Sequence, residues 1–194
     1  MNRIWLRAVE KLTFEDPVPY LIQLRHREIT VALSDMQPEE KAMRTNGLKI
    51  PREQREAALF CLGMSERLGH KVYFSAQEDQ DYDFVARWMI GEVLHYAQVQ
   101  LKEVVPVKMN SRSTIEGIVE SLGRLTDSNG LTVAIHLNRE CRFEPSLLKV
   151  PEKLKIGSLW VFGSTTADQS CWTLWGNFTE NAPFWNQFSY PTGD

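Results

Sequence analysis

An almost uninterrupted apolar run, Leu131 to Leu137, is the feature that most constrains how this chain can fold. A strand that is apolar on both faces suits the interior of a sheet covered on both sides, where parallel strands are usually found. The segment Ser113-Thr-Ile-Glu116 precedes it and has the spacing of a capping box, which predicts a helix with one apolar face. A helix between two strands allows the crossover that parallel neighbours require. The pattern therefore predicts the α/β class.

Four further elements precede that helix in the chain. Apolar positions at helical spacing predict a helix from Pro51 to about Leu68, with Gly69 as its C-terminal stop. Lys71 to Ser75 and Asp83 to Trp88 have the composition of strands. Val93 to Val105 is a longer third strand, in which apolar and polar residues alternate with a period of two. The predicted order is therefore a helix, three strands, a helix and a strand.

The N-terminal part has weaker patterns. Asp16-Pro17 predicts a helix cap, and Tyr20 to Leu33 suits a helix, although Ile29 to Val31 would also suit a strand. A short helix is predicted to open at Pro38. We therefore expect a helical extension over residues 1–50.

The C-terminal part is rich in tryptophan. Ser158 to Phe162 and Cys171 to Trp175 predict two more strands, and Asn181 to Asp194 predicts a tail that lies on the body. We expect residues 51–194 to form the α/β domain, with these strands as additions at its C-terminal end.

The composition is that of a globular protein, with 43% hydrophobic and 24% charged residues. The net charge of −3 provides no overall basic field for nucleic acid. Cys61, Cys141 and Cys171 are odd in number and have no CxxC spacing, which favours reduced thiols and a cytoplasmic location. The sequence shows no signal-peptide pattern and no membrane-spanning stretch, so we expect no membrane partner.

Two segments carry residues that suit a metal site. Asp83 opens the second predicted strand, and Gln100-Leu101-Lys102 lies in the third, seventeen positions later (100 − 83). Residues two apart on a strand share a face, so Gln100 and Lys102 would lie side by side, and Asp83 could meet them from the neighbouring strand. Glu56 lies in the preceding helix.

This arrangement resembles the PD-(D/E)xK nuclease superfamily. Its restriction-endonuclease-like core is a helix, a three-stranded antiparallel meander, a helix and a further strand, with an acidic residue at the second strand and a (D/E)-x-K triplet in the third. The resemblance covers residues 51–137. It departs from the pattern at Tyr82, where proline is usual, and at Gln100, where Asp or Glu is usual.

The resemblance implies a metal-dependent nuclease that acts on DNA or RNA. Asp83 and Gln100 would bind Mg²⁺ or Mn²⁺, Lys102 would assist the attacking water, and Glu56 would be auxiliary. Because an amide oxygen brings no charge, a nearby acid could compensate for Gln100. The candidates for that acid are Glu78, Asp79, Asp81, Glu92 and Glu103.

Each candidate also has a purely structural interpretation. Asp83 suits a solvated turn, Gln100 and Lys102 suit the exposed face of a strand, and Glu56 suits a helix surface. His136 suits a hydrogen-bonded position in the core.

The flanking residues leave similar alternatives open. Four basic residues could meet phosphates or simply be solvated, namely Arg52, Arg55, Lys108 and Arg112. Three tryptophans could form a base-stacking platform or the core, namely Trp160, Trp172 and Trp175. The alternative function is a catalytically inactive member of the same fold that binds a protein partner or a second copy through these strands.

Overall fold

One mixed sheet of seven strands runs through the described part of the chain, with helices on both of its faces. The computed structural model describes residues 3–32, 49–76, 82–125, 128–180 and 184–193. The helices are α1 (Arg3–Val9), α2 (Pro17–Ala32), α3 (Lys49–Leu68) and α4 (Ile115–Leu122), and the strands are β1 (Val72–Ser75), β2 (Phe84–Ile90), β3 (Val93–Val104), β4 (Ser128–Leu137), β5 (Ile156–Ser164), β6 (Cys171–Gly176) and β7 (Phe184–Ser189). The predicted α/β class is confirmed.

The strands follow one another across the sheet in the order in which they occur in the chain. β1, β2 and β3 pair antiparallel, β3, β4 and β5 pair parallel, and β5, β6 and β7 pair antiparallel. The connection from β3 to β4 contains α4, which is the crossover that the capped helix predicts. β4 therefore lies at the centre of the sheet, which explains why its sequence is apolar on both faces.

Alternation along the strands divides the core into two halves. On one face, Phe60 of α3 packs against Phe84 and Phe162, with ring centroids 6.3 and 6.0 Å away. On the other face, Val119 of α4 belongs to a buried cluster with Val133 of β4. Burying such an apolar side chain stabilises the fold by about 1.5–3 kcal/mol. Burying a polar side chain costs free energy unless it is hydrogen-bonded or paired, so the polar side chains on the α3 face need a specific explanation.

The N-terminus of α4 differs by one residue from the predicted capping box. Thr114 is the N-cap, and its side chain accepts a hydrogen bond from the backbone N–H of Gly117 at 3.1 Å. Ser113 accepts instead from the N–H of Val105 at 3.4 Å, so it ties the end of β3 to the helix entry.

The C-terminal segment corrects another prediction. Residues 184–189 form strand β7 rather than a tail, with Trp185 paired to Trp175 of β6. Phe188 packs over Gly63 of α3, where an added Cβ would come within 2.8 Å of its ring. The pairing partners are distant in sequence, so the local pattern alone did not identify this strand.

At the other end of the chain, α2 packs against α3, and its Leu21 is fully buried in the same core cluster as α3. Ile29 to Val31 are helical, so their alternative assignment to a strand is wrong. The division into a 1–50 extension and a 51–194 domain stays a prediction. The short helix predicted at Pro38 lies outside the described residues. Among the described residues, no helix is both long and apolar enough to cross a membrane.

Candidate metal centre

Two carboxylates and an imidazole meet between α3 and the carboxyl ends of β3 and β4. Glu103 and His136 are register partners in the parallel pairing of β3 and β4, so both side chains point to the same face. Glu56 approaches them from α3. One potential ligand atom from each of the three residues lies within 4.8 Å of the others, so the group could hold a metal ion.

Two residues of this group are more deeply buried than ionisable side chains usually are. Glu56 and His136 are each only 4% exposed. The imidazole stacks on Phe162 with ring centroids 5.0 Å apart and planes 12° apart, and Trp172 lies 5.6 Å away. These apolar contacts fix the ring on two sides and leave its Nδ1 facing Glu56.

The Nδ1 atom of His136 lacks a hydrogen-bond partner among the described residues. His136 Nδ1 lies 3.3 Å from Glu56 Oε1, yet it is buried and makes no hydrogen bond to any described residue. Buried polar atoms in proteins almost always have a partner, so an exception calls for an explanation. The predicted core position of His136 is confirmed, but Nδ1 lacks the predicted hydrogen bond and is available as a ligand atom.

Glu103 is held by two neighbours. Arg52 Nη1 lies 3.5 Å from Glu103 Oε2, and Asn138 Nδ2 donates to Glu103 Oε1 at 2.5 Å. The arginine compensates the charge of a carboxylate that is only 11% exposed. Of the acids predicted to compensate for Gln100, Glu92 and Glu103 are described, and Glu103 is the one of these two that joins the group. Glu78, Asp79 and Asp81 lie outside the described residues.

A cleft of about 400 Å³ opens beside the three residues. Arg25, Arg52 and Arg55 line it, together with Glu56 and His136. It shares His136 with a larger cleft of about 750 Å³. Glu28 and Asp168 also line the smaller cleft. Arg25 and Arg55 both pair with Glu28, so an anion in the smaller cleft would meet guanidinium groups that lie beside carboxylates.

The β5–β6 loop closes one side of this cleft. Arg55 donates to the side chain of Gln169 at 2.5 Å, and Arg25 donates to the carbonyl of Asp168 at 2.9 Å. Gln169 has a φ of 58°, a left-handed conformation that non-glycine residues seldom adopt. Hydrogen bonds from Thr166 and Ser170 lower the pKa of the Asp168 carboxyl to about 2. The loop is therefore held by its own hydrogen bonds and by two arginines.

The ligand set indicates which ions suit the group. Carboxylate oxygens suit Mg²⁺ and Mn²⁺, whereas an imidazole favours transition metals over Mg²⁺. Two carboxylates with one imidazole therefore fit Mn²⁺ better than Mg²⁺.

Of the residues predicted from the sequence, Glu56 belongs to the group. Its interpretation as a helix-surface residue is wrong because the charge points at β3 and β4 and is buried. Asp83 is not part of the group. Its Oδ2 accepts a hydrogen bond from the backbone N–H of Leu101 at 2.6 Å, and it lines a separate small cavity with Gln54.

Gln100 and Lys102 lie on the opposite face of the sheet. Their register partners are Val133 and Ile135, which belong to the core cluster on the α4 side. Neighbouring residues in register share a face, so the two polar side chains point away from Glu56. Their roles as ligand and water-positioning residue stay predictions.

The tryptophans divide between the two interpretations. Trp160 and Trp172 are buried in the core on the α3 face. Trp175 is half-buried, lines the larger cleft and contacts Phe143 edge-on at 5.1 Å. Trp172 also lines that cleft, and Trp175 is the more exposed of the two.

Comparison with known proteins does not assign the chain to a family. No family model matches the chain, and neither a curated protein nor a solved structure matches it.

Proposed function

We propose that this protein is a metal-dependent phosphodiesterase that cleaves DNA or RNA, with Glu56, Glu103 and His136 as the residues that hold Mn²⁺ or Mg²⁺. The observation that carries the proposal is that two members of this metal-capable group, Glu56 and His136, line a cleft that three arginines also line. Guanidinium groups bind phosphate oxygens in a bidentate manner, and carboxylates with an imidazole bind a divalent cation. The order of elements over residues 51–137 supports the same reaction class through its resemblance to the PD-(D/E)xK superfamily, although Asp83, Gln100 and Lys102 do not belong to this group.

The chain's own residues have distinct tasks in this proposal. Glu56 and Glu103 supply the negative charge that a cation needs, and the stack on Phe162 holds the imidazole of His136 in place. Arg52 and Arg55 face the phosphate and neutralise the charge that develops during cleavage. A divalent cation supplies Lewis-acid polarisation of a phosphoryl oxygen and makes a water more acidic.

A polymeric substrate suits the shape of the site. The smaller cleft shares His136 and Asn138 with the larger one, where Trp175 and Arg139 are among the lining residues. An aromatic ring and arginine side chains suit the bases and the backbone of a single strand. The two clefts together thus provide room for nucleotides on either side of the scissile phosphate.

A second candidate function is supported by the β7 edge of the sheet. Phe184 and Trp185 are exposed there, Trp185 by 62%, and within the described part of the chain the strand pairs with β6 alone. An exposed aromatic edge strand suits addition of a partner strand. This surface favours the inactive binding module, which needs no metal.

Incubation of the purified chain with plasmid, single-stranded DNA and RNA in Mn²⁺ or Mg²⁺ separates the two functions. We expect cleavage that EDTA abolishes and that Glu56→Gln reduces by at least about a hundredfold, since the substitution removes a ligand charge. Glu66→Gln is the matched control, because Glu66 is an exposed residue of the same helix. If the wild-type chain cleaves none of these substrates with either ion, the binding module becomes the better interpretation.

A further inference from the structure

Arg52 and a cation at the metal-binding group would compete for the same carboxylate. Arg52 Nη1 lies 3.5 Å from Glu103 Oε2, whereas the other oxygen of Glu103 accepts from Asn138. A nearly buried carboxylate needs a compensating charge, and in this structure Arg52 supplies it. A divalent cation bound by Glu56, Glu103 and His136 would supply that charge instead.

Only part of the hydrogen-bonding capacity of the Arg52 guanidinium is satisfied by the described residues. Its Nε is buried and has no hydrogen-bond partner among the described residues. The Nε of Arg55 is also buried without a hydrogen-bond partner among the described residues. It lies 3.4 Å from Glu28 Oε1 in an ion pair. Six buried side-chain atoms of the described residues lack a hydrogen bond, and two of these, Arg52 Nε and Arg55 Nε, are donors of residues that line one cleft. Two such donors on neighbouring turns of one helix suit a ligand with several acceptor atoms, whereas His136 Nδ1 suits the cation.

The two arginines differ in how firmly they are held. The guanidinium carbon of Arg55 lies 5.6 Å from the ring centroid of Trp172 and 5.8 Å from that of Tyr190, and its Nη2 donates to Gln169. Among the described residues, the ion pair of Arg52 is the one to Glu103, and its side chain is more exposed, at 29% against 13% for Arg55. Arg55 is therefore preorganised, and Arg52 is the arginine that can change partner.

Building on the proposed function, we propose that Arg52 and Arg55 form a phosphate subsite that is completed when a cation takes over Glu103. The cation and the released Arg52 carry like charges a short distance apart, which is unfavourable in a cleft of low dielectric. A phosphate oxyanion between them relieves this repulsion and meets the free N–H groups of both guanidinium forks. Cation and phosphate therefore bind with positive coupling, and each raises the affinity for the other by the same factor.

The test measures Mn²⁺ binding to the full chain by titration calorimetry, with and without inorganic phosphate. A blank titration without protein corrects for Mn²⁺ that phosphate binds in solution. We expect phosphate to raise the Mn²⁺ affinity about fivefold or more, within the usual range for coupled sites. Arg52→Gln should abolish this increase and keep or raise the affinity for Mn²⁺ alone, because the competitor for Glu103 is gone.

The control is Arg67→Gln, which changes an arginine of the same helix that contacts Phe184 instead of the cleft. It should keep the full increase. Equal Mn²⁺ affinities with and without phosphate in the wild-type chain would overturn the coupling but not the metal site. This comparison does not depend on the folding of any variant. An increase that persists in Arg52→Gln would overturn the role of Arg52. A wild-type chain that binds no Mn²⁺ would overturn the proposed function together with the subsite.

Discussion

Glu103 and His136 lie directly beside each other across the parallel pairing of β3 and β4, and both point towards Glu56 on α3. The three residues thus come from three separate elements, which are brought together only in the folded chain. An unfolded chain offers no such arrangement, so a cation that binds here stabilises the native state selectively.

This selective binding should appear as thermal stabilisation. At a free Mn²⁺ concentration of about 100 times Kd, the native state gains about 2.7 kcal/mol. For a chain of this length we expect Tm to rise by about 5–10 °C, which differential scanning calorimetry measures. His136→Phe keeps the stack on Phe162 but removes the ligand atom, so its Tm should not respond to Mn²⁺. The same rise in this variant would show that the cation binds elsewhere.

Gln100→Ala and Lys102→Ala test the opposite face of β3. Because both side chains point to the α4 side, we expect the Mn²⁺ affinity of each variant to stay within about twofold of the wild type, that is, within about 0.4 kcal/mol. Calorimetric titration measures this. A loss of binding in Gln100→Ala, or of nuclease activity in Lys102→Ala, would instead favour the original motif over the Glu103 group.

Asp83→Ala should affect stability rather than metal binding. The carboxylate accepts the backbone N–H of Leu101 at 2.6 Å, and a hydrogen bond to a charged group contributes about 1.5–3 kcal/mol. We expect the free energy of unfolding in urea to fall by about 2 kcal/mol. Asp83→Asn retains an acceptor and should lose less. Unchanged stability in Asp83→Ala, combined with lost Mn²⁺ affinity, would restore Asp83 as a ligand.

Alkaline pH should weaken the contact between α2 and α3. Burial, with a contribution from Glu15, raises the pKa of Tyr20 from 10.0 to about 12, and its hydroxyl donates to Gln54 of α3 at 3.0 Å. The unfolded chain ionises first, so the contribution of Tyr20 to stability is complete below pH 10 and is lost as the pH rises to about 12. Urea unfolding across this range should show a shallower decline for Tyr20→Phe than for the wild type. Parallel declines would contradict the assignment of the raised pKa to Tyr20.

The order of the elements could be predicted from the sequence because periodicity is a local property. The alternation in Val93 to Val105 and the apolar run from Leu131 identify strands whatever their neighbours are. Strand β7 could not be found in this way, because its pairing of Trp185 with Trp175 depends on a contact between segments that look unrelated in the sequence.

The candidate site could be predicted only in part, since it depends on which face of β3 meets α3. A shift of one residue reverses the face of every side chain, and the sequence does not say whether Gln100 or Leu101 faces the helix. In the structure, Leu101 and Glu103 are the β3 residues that face α3. His136 carried little signal, because a histidine on a buried strand also suits a hydrogen-bonded core position, and its approach to Glu56 follows only from the packing of α3 on the sheet.

The order of the strands has a consequence for synthesis on the ribosome. Because the sheet runs from β1 to β7 in chain order, every new strand finds its neighbour already made, and none must insert between two earlier ones. Glu56 and Glu103 leave the ribosome before His136, so the ligand group is complete when β4 docks beside β3. The nascent protein at that moment still lacks β5, so β4, which lies at the centre of the finished sheet, has one unpaired edge, and this is the stage at which a chaperone would protect it most.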